Sequence, residues 1–282
     1  MTISPTNTAK ANLIYFAPPA DGSKPYTHVN ADPATGVRQQ NWIKESHDNI
    51  EIENLRGKED TVTLDTAGFQ FFTRPQKYTA FANDEEIERE YYPESIELVK
   101  QLTGASRIVV FDHTIRRRRP GEVDDSPQKR QPVLQVHVDQ TADSAIARVH
   151  RHLPASDAPE LLKHRFQIIN LWRPINHAAY DWPLALCDYR SIDVDHDLVP
   201  TILRYPDRDG ETLGVQYNPN HRWKYLKGMV PDEFVLIKCF DSKDDGKTAI
   251  LTPHTAFDDV TKPEGSPLRE SIELRLLVFY DD

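Results

Sequence analysis

The sequence predicts a mainly β protein with a jelly-roll core and flanking helices. Three observations predict it. After Gly104 the chain breaks into short runs rich in Val, Ile, Leu, Phe and Tyr, each bounded by Pro, Gly, Asn or Asp. Before that point, residues 84–103 carry apolar side chains at helical spacing. The 21 prolines and 11 glycines are scattered as turn punctuation, and no repeat or low-complexity block divides the 282 residues. One large unit is therefore expected, a size all-β domains often reach.

Taken in order, residues 1–60 are mostly polar and read as an N-terminal extension packed on the core, with Leu13-Ile14-Tyr15-Phe16 as an edge strand. Residues 61–282 then form the jelly-roll domain, beginning with a helical portion. Within it, 61–64 alternates and leads into a strand at Gly68-Phe69-Gln70-Phe71-Phe72. The helix over 84–103 starts at a cap supplied by Asn83 or Asp84 and turns Ile87, Tyr91, Ile96, Val99 and Leu102 inward. Strands are expected at 107–112, 133–138, 167–172, 184–187, 212–216, 223–226, 233–240, 249–251 and 271–280.

Composition excludes several classes of function. A net charge of −10 argues against nucleic acid and anionic membrane surfaces as partners. The run Arg116 to Arg119 is the local exception, and it reads as a solvated strand edge in preference to a site for an anionic group. The two cysteines, Cys187 and Cys239, stand far apart and outside any C-x-x-C, so zinc ribbons and disulfide frameworks are not expected. Residues 1–12 lack an apolar targeting core, and no stretch approaches the ~18 apolar residues of a membrane span. A cytoplasmic protein with reduced thiols is expected. G-x-S-x-G, P-loop and G-x-G-x-x-G patterns are absent, which removes the common hydrolase, NTPase and dinucleotide readings.

One constellation carries chemistry. On a strand, residues i and i+2 share a face, so Val136-His137-Val138-Asp139 presents an imidazole beside a carboxylate with Val138 turned away. With 11 His and 27 Asp in the chain, about one His-x-Asp is expected by chance. Context adds weight: the pair ends an apolar run, and a distal histidine, His254, stands in Thr252-Pro253-His254-Thr255 ahead of the last long strand. Two histidines and one carboxylate make the facial triad of non-haem iron(II), which leaves coordination positions open for a co-substrate and dioxygen. Arg269 and Ser271 follow His254, and an arginine fork there suits the distal carboxylate of a dicarboxylic co-substrate. Arg275 shares their facing but stands about 20 Å along the strand from Arg269. It is expected as an ion-pair partner of Glu273, or as the carboxylate ligand if the register shifts.

Seven stretches carry a family resemblance: Gly104-Ala105-Ser106-Arg107, Asp112-His113-Thr114-Ile115-Arg116-Arg117, Val136-His137-Val138-Asp139, Asn170-Leu171-Trp172-Arg173-Pro174, Lys238-Cys239-Phe240-Asp241-Ser242, His254-Thr255-Ala256-Phe257, and Arg269-Glu270-Ser271-Ile272-Glu273-Leu274-Arg275. In this order they resemble the hydroxylase/desaturase family, which takes in cephalosporin 7-alpha-methoxylase-related, gibberellin-desaturase-like and asperfuranone-type natural-product oxygenases. The resemblance runs from about Leu55 to Phe279. It implies a double-stranded β-helix that uses Fe(II), 2-oxoglutarate and dioxygen to oxidise a small-molecule substrate by hydroxylation, desaturation or a related C–H oxidation. It also implies His137, Asp139 and His254 as iron ligands.

Other residues stay open at this stage. Arg173 either reaches the co-substrate or pairs with Asp188. Trp223 and Tyr225 share a face and, with Thr114, are candidates for the substrate pocket wall, although core packing suits the two aromatics as well. Among His113, His150, His152, His164 and His177 only His150-Arg151-His152 has ligand spacing, and in a polar helical or looped segment, where i and i+2 diverge, that pair reads as surface. Two alternatives remain: a catalytically silent jelly-roll subunit supporting an active homologue, and an iron oxidase that does not use 2-oxoglutarate. A homodimer, or a heterodimer with a homologue, is the expected assembly.

Overall fold

The computed structural model describes residues 8–281. Fourteen strands follow one another among these residues: β1 (Thr8–Ala17), β2 (Tyr26–His28), β3 (Ile43–Asn54), β4 (Phe69–Thr73), β5 (Arg107–Arg117), β6 (His137–Val138), β7 (Phe166–Pro174), β8 (Leu184–Cys187), β9 (Leu198–Arg204), β10 (Asp209–Val215), β11 (Trp223–Tyr225), β12 (Glu233–Asp241), β13 (His254–Ala256) and β14 (Glu270–Phe279). They form two sheets. The larger has nine strands in the order β1-β3-β11-β8-β13-β6-β10-β9-β2, and the smaller has five in the order β4-β12-β7-β14-β5.

The smaller sheet is the better sealed. Its middle strand, β7, is buried at every residue, and its polar side chains, Gln167, Asn170 and Arg173, are each hydrogen-bonded. On the outer face Ile169, Leu171, Phe234, Leu236, Ile272 and Leu274 pack against a helix. This helix, α1 (84–103), consists of Asp84–Glu86, a π-helical turn over Ile87–Tyr91, and Tyr92–Thr103. Asn83 caps it by accepting from the Glu86 amide, and Gly104 ends it in a left-handed conformation. Ile87, Tyr91 and Val99 are buried as expected. The opposite, inner face of this sheet turns toward the nine-stranded sheet and carries polar side chains from β14, β7 and β5.

Several expectations need correction. Residues 249–251 pair with no strand; the strand in that region is β13, beginning at His254. Of 133–138 only His137–Val138 is a regular strand, with Gln135 making an isolated bridge to Ile14. The first 60 residues supply three strands of the larger sheet, among them β3, whose mostly polar sequence hid a twelve-residue strand paired along β1. His152, read as surface, is half-buried, with its ring stacked 5.1 Å from that of Phe111. It ends a second helix, α2 (Ala142–His152), which opens on a capping box at Thr141 and Ser144.

Candidate metal centre

The sheet register brings the triad together. β6 lies between β13 and β10, and His254 pairs directly opposite His137. Asp139 follows two residues on, so its carboxylate returns to the same face. The ligand atoms of His137, Asp139 and His254 lie within 4.8 Å of one another, and the two imidazole centroids are 4.5 Å apart. Each histidine Nδ1 donates to the backbone carbonyl two residues earlier, His137 to Gln135 at 2.8 Å and His254 to Thr252 at 3.0 Å. A carbonyl only accepts, so Nδ1 carries a proton in both rings and leaves Nε2 as the ring atom available to a metal, that of His137 lying 3.5 Å from Asp139 Oδ1.

The supports behind these groups are equally specific. Thr252 Oγ1 donates to the Gly68 carbonyl at 2.6 Å. Gly68 has φ +88°, and a Cβ there would stand 2.3 Å from that hydroxyl, so only glycine lets the two segments approach this closely. Asp139 accepts from Asn170 Nδ2 at 2.7 Å, and Arg275 Nε lies 3.6 Å from the same oxygen. Burial acts to raise the Asp139 pKa, but the contacts with His137, Arg275 and His254 outweigh it and hold the carboxyl well below its usual range. Burial, with His137 close by, lowers the pKa of His254. Both effects favour the unprotonated forms of Asp139 and His254, the forms that bind a metal.

Beside the triad lies a small inner pocket whose wall includes Arg116, Trp172, Leu184, Arg269 and Glu273. Arg269 is 2% exposed. Its Nη1 donates to the Trp182 carbonyl at 2.7 Å, while its Nε and the Ser271 hydroxyl have no partner. Burial, with Arg116 nearby, pulls the Arg269 pKa down to about 9. A buried guanidinium whose Nε is unsatisfied and a buried hydroxyl with no partner, two residues apart in the chain, suit an anion. Beyond this pocket a cavity of about 1360 Å³ opens over His137, Asp139, Arg275 and Thr114. It exceeds the usual ~300–1,000 Å³ of small-molecule sites.

Some expected residues lie elsewhere. Trp223 and Tyr225 line neither cavity: both are buried in an apolar cluster, where Trp223 Nε1 donates to Tyr15 and Tyr225 packs edge-on against Phe257. Arg173 alternates onto the α1 side of β7, where it donates to Gln76 and Pro231 and stacks over Phe234, so it points away from the co-substrate pocket. Asp188 pairs with Arg190 instead. Arg275 is fully engaged by Glu273 at 2.7 Å, Asp112 at 2.9 Å and Thr114 at 2.9 Å, which matches its reading as an ion-pair partner. Two site residues escaped the sequence reading. Asn170 buttresses Asp139, and Arg116, dismissed with the basic run, reaches the inner pocket.

A family model described as an oxidoreductase/YMDC permease-like domain matches residues 13–279. The hydroxylase/desaturase efuI of Hormonema carpetanum is 35% identical over 98% of this chain and 96% of its own length. The Fe(II)/2-oxoglutarate-dependent dioxygenase nvfI of Aspergillus novofumigatus is 32% identical over 94% of each chain. The chain belongs to the hydroxylase/desaturase family of Fe(II)/2-oxoglutarate-dependent dioxygenases. A solved structure of the iron and alpha-ketoglutarate-dependent endoperoxidase NvfI superposes on this dioxygenase with a TM-score of 0.82 at 28% identity, covering 97% of this chain and 98% of the other. The jelly-roll core expected from the strand pattern is thus the fold of the dioxygenase. No helix among its described residues is long and apolar enough to cross a membrane.

Proposed function

We propose that this chain oxidises a small organic substrate at a C–H bond in natural-product biosynthesis, with iron(II) held by His137, Asp139 and His254 and 2-oxoglutarate held by Arg269 and Ser271. One observation carries the reading: the triad opens onto the same pocket as Arg269, whose buried Nε has no partner, and the buried, unpaired Ser271 hydroxyl lies two residues further along the chain. When bound, iron and 2-oxoglutarate supply the oxidant, as dioxygen is reduced and the co-substrate loses carbon dioxide to become succinate.

The chain's own part is positioning and exclusion. Asn170 and Arg275 orient the Asp139 carboxylate, while Gln135 and Thr252 hold the two imidazoles. Arg269 and Ser271 fix the far end of the co-substrate. Val133, Leu184, Ala256 and Trp172 wall the inner pocket with apolar surface that keeps water away. The outer cavity admits a substrate larger than the co-substrate, with Thr114 on its wall. Two free, buried cysteines fit a reducing cytosol.

The unpaired Arg269 and Ser271 favour 2-oxoglutarate over an iron oxidase without it. Succinate formation that depends on added iron(II) tests the whole reading. His137→Ala and Asp139→Ala are expected to abolish both succinate and tight iron binding without unfolding the protein. Iron retained at full affinity in both variants would refute the ligand assignment.

A further inference from the structure

Four consecutive arginines run from the end of β5 into the loop beyond it, and three of them are neutralised: Arg117 by Glu270 at 2.9 Å, Arg118 by Asp181, and Arg119 by Glu122 at 3.9 Å. Arg116 is different. In the β5–β14 register it sits directly opposite Ser271, on the inner face of the sheet. Among the described residues no carboxylate lies within ion-pair distance of it, and its side chain makes one hydrogen bond, Nη1 to the Gln131 carbonyl at 3.0 Å. It lines the inner pocket and the outer cavity alike.

Arg269 shares this condition. Its guanidinium meets a backbone carbonyl and the face of Trp172, with no carboxylate in ion-pair contact among the described residues. Two guanidiniums facing one small pocket repel each other and have lost much of their hydration, an unfavourable arrangement unless an anion completes it. Ser271 stands between them in register terms: two residues from Arg269 along β14, and across the ladder from Arg116. Its hydroxyl is unpaired. A carboxylate has two oxygens with about four lone-pair directions, enough to accept from two arginines and a hydroxyl at once.

We propose that Arg116 is a co-substrate-binding residue, sharing the distal carboxylate of 2-oxoglutarate with Arg269 and Ser271. The inference rests on the co-substrate reading above and adds to it a residue outside the Arg269-x-Ser271 pair. Because Arg116 also borders the outer cavity, it forms the wall between co-substrate and substrate.

Anaerobic titration of the iron(II)-loaded protein, followed by the charge-transfer absorption of the iron–2-oxo-acid chelate, tests this without turnover. Two ligands are compared: 2-oxoglutarate, and 2-oxobutanoate, which has the same chelating head and no distal carboxylate. Arg116→Gln is expected to weaken 2-oxoglutarate binding roughly ten- to a hundred-fold, to leave 2-oxobutanoate binding unchanged, and to leave iron affinity unchanged. Arg119→Gln, which lines neither the inner pocket nor the outer cavity, is expected to bind both acids as the parent does. If Arg116→Gln weakens both acids equally, its role is structural; if it weakens neither, the residue does not touch the co-substrate. Either result overturns the proposal. Arg269→Gln separates the two readings, since loss of the 2-oxoglutarate preference there alone removes Arg116 from the site, and its retention in both variants removes the co-substrate reading as well. Should Arg116→Gln fail to fold, Arg116→Lys carries the same comparison, with a smaller loss expected because the charge remains and the planar fork does not.

Discussion

Two buried polar clusters in this protein have similar composition and opposite bookkeeping. Around Lys238, which is fully buried, the ammonium donates to Asp65 at 3.0 Å, Asp241 at 2.8 Å and the Ala249 carbonyl at 2.8 Å. Asp241 is further met by Arg165 at 2.6 Å and Gln167 at 2.7 Å. Every ammonium proton has a partner supplied by the chain. Around Arg269, by contrast, Arg269 Nε and Ser271 Oγ have none. A cluster completed by protein groups holds elements in place, whereas one left incomplete beside a cavity is shaped for a ligand. The same residue types therefore do structural work at one end of the small sheet and binding work at the other.

The sharpest way to break this comparison is to delete one cation from each cluster. Lys238→Ala leaves Asp241 buried without its ammonium and is expected to cost about 3–5 kcal/mol of stability in urea unfolding, with any effect on 2-oxoglutarate affinity secondary to folding. Arg269→Leu is expected to do the reverse. It removes a poorly compensated buried charge, so stability should hold or rise slightly, while the dissociation constant for 2-oxoglutarate rises roughly a hundred-fold by titration. Equal destabilisation by the two changes would show that Arg269 is a structural cation after all.

A smaller effect separates the clusters by pH. Burial acts to raise the Asp241 pKa, but Arg165, Lys238 and Gln167 together outweigh it and leave the value lowered. A lowered folded pKa means that the unfolded chain takes up the proton first as acid is added. The stability Asp241 contributes is thus complete above the ordinary aspartate value near ~3.9 and is lost as pH falls below it. Asp241→Asn should flatten the acid limb of a stability-against-pH curve. An unchanged limb would show that other carboxylates govern acid unfolding.

Parts of the site were legible because they depend on local geometry alone. The strand period of two placed His137 and Asp139 side by side, and the same period paired Arg269 with Ser271. The helix at 84–103 was readable from its cap and spacing, both local signals. Arg116 was not, because alternation says that Arg116 and Arg117 face opposite ways and cannot say which way is inward. Trp223 and Tyr225 share a face as expected, but that face is covered by Tyr15 and Phe257, from distant parts of the chain. Arg173 failed for the same reason: β7 is buried on both sides, so a polar residue there had two destinations, and α1 determined which side received it.

β14 shows the division most clearly. Its polar positions Ser271, Glu273 and Arg275 alternate with Ile272, Leu274 and Leu276, a pattern that ordinarily marks one face on the core and one in water. The sequence by itself determined that alternation, the helical buttress, and the residue types able to bind iron and a dicarboxylic acid. Only the tertiary structure decided that a second sheet would cover the polar face. Covering it is what turns the alternation into a site, because a buried guanidinium or hydroxyl deprived of water must be satisfied by the chain or by a ligand.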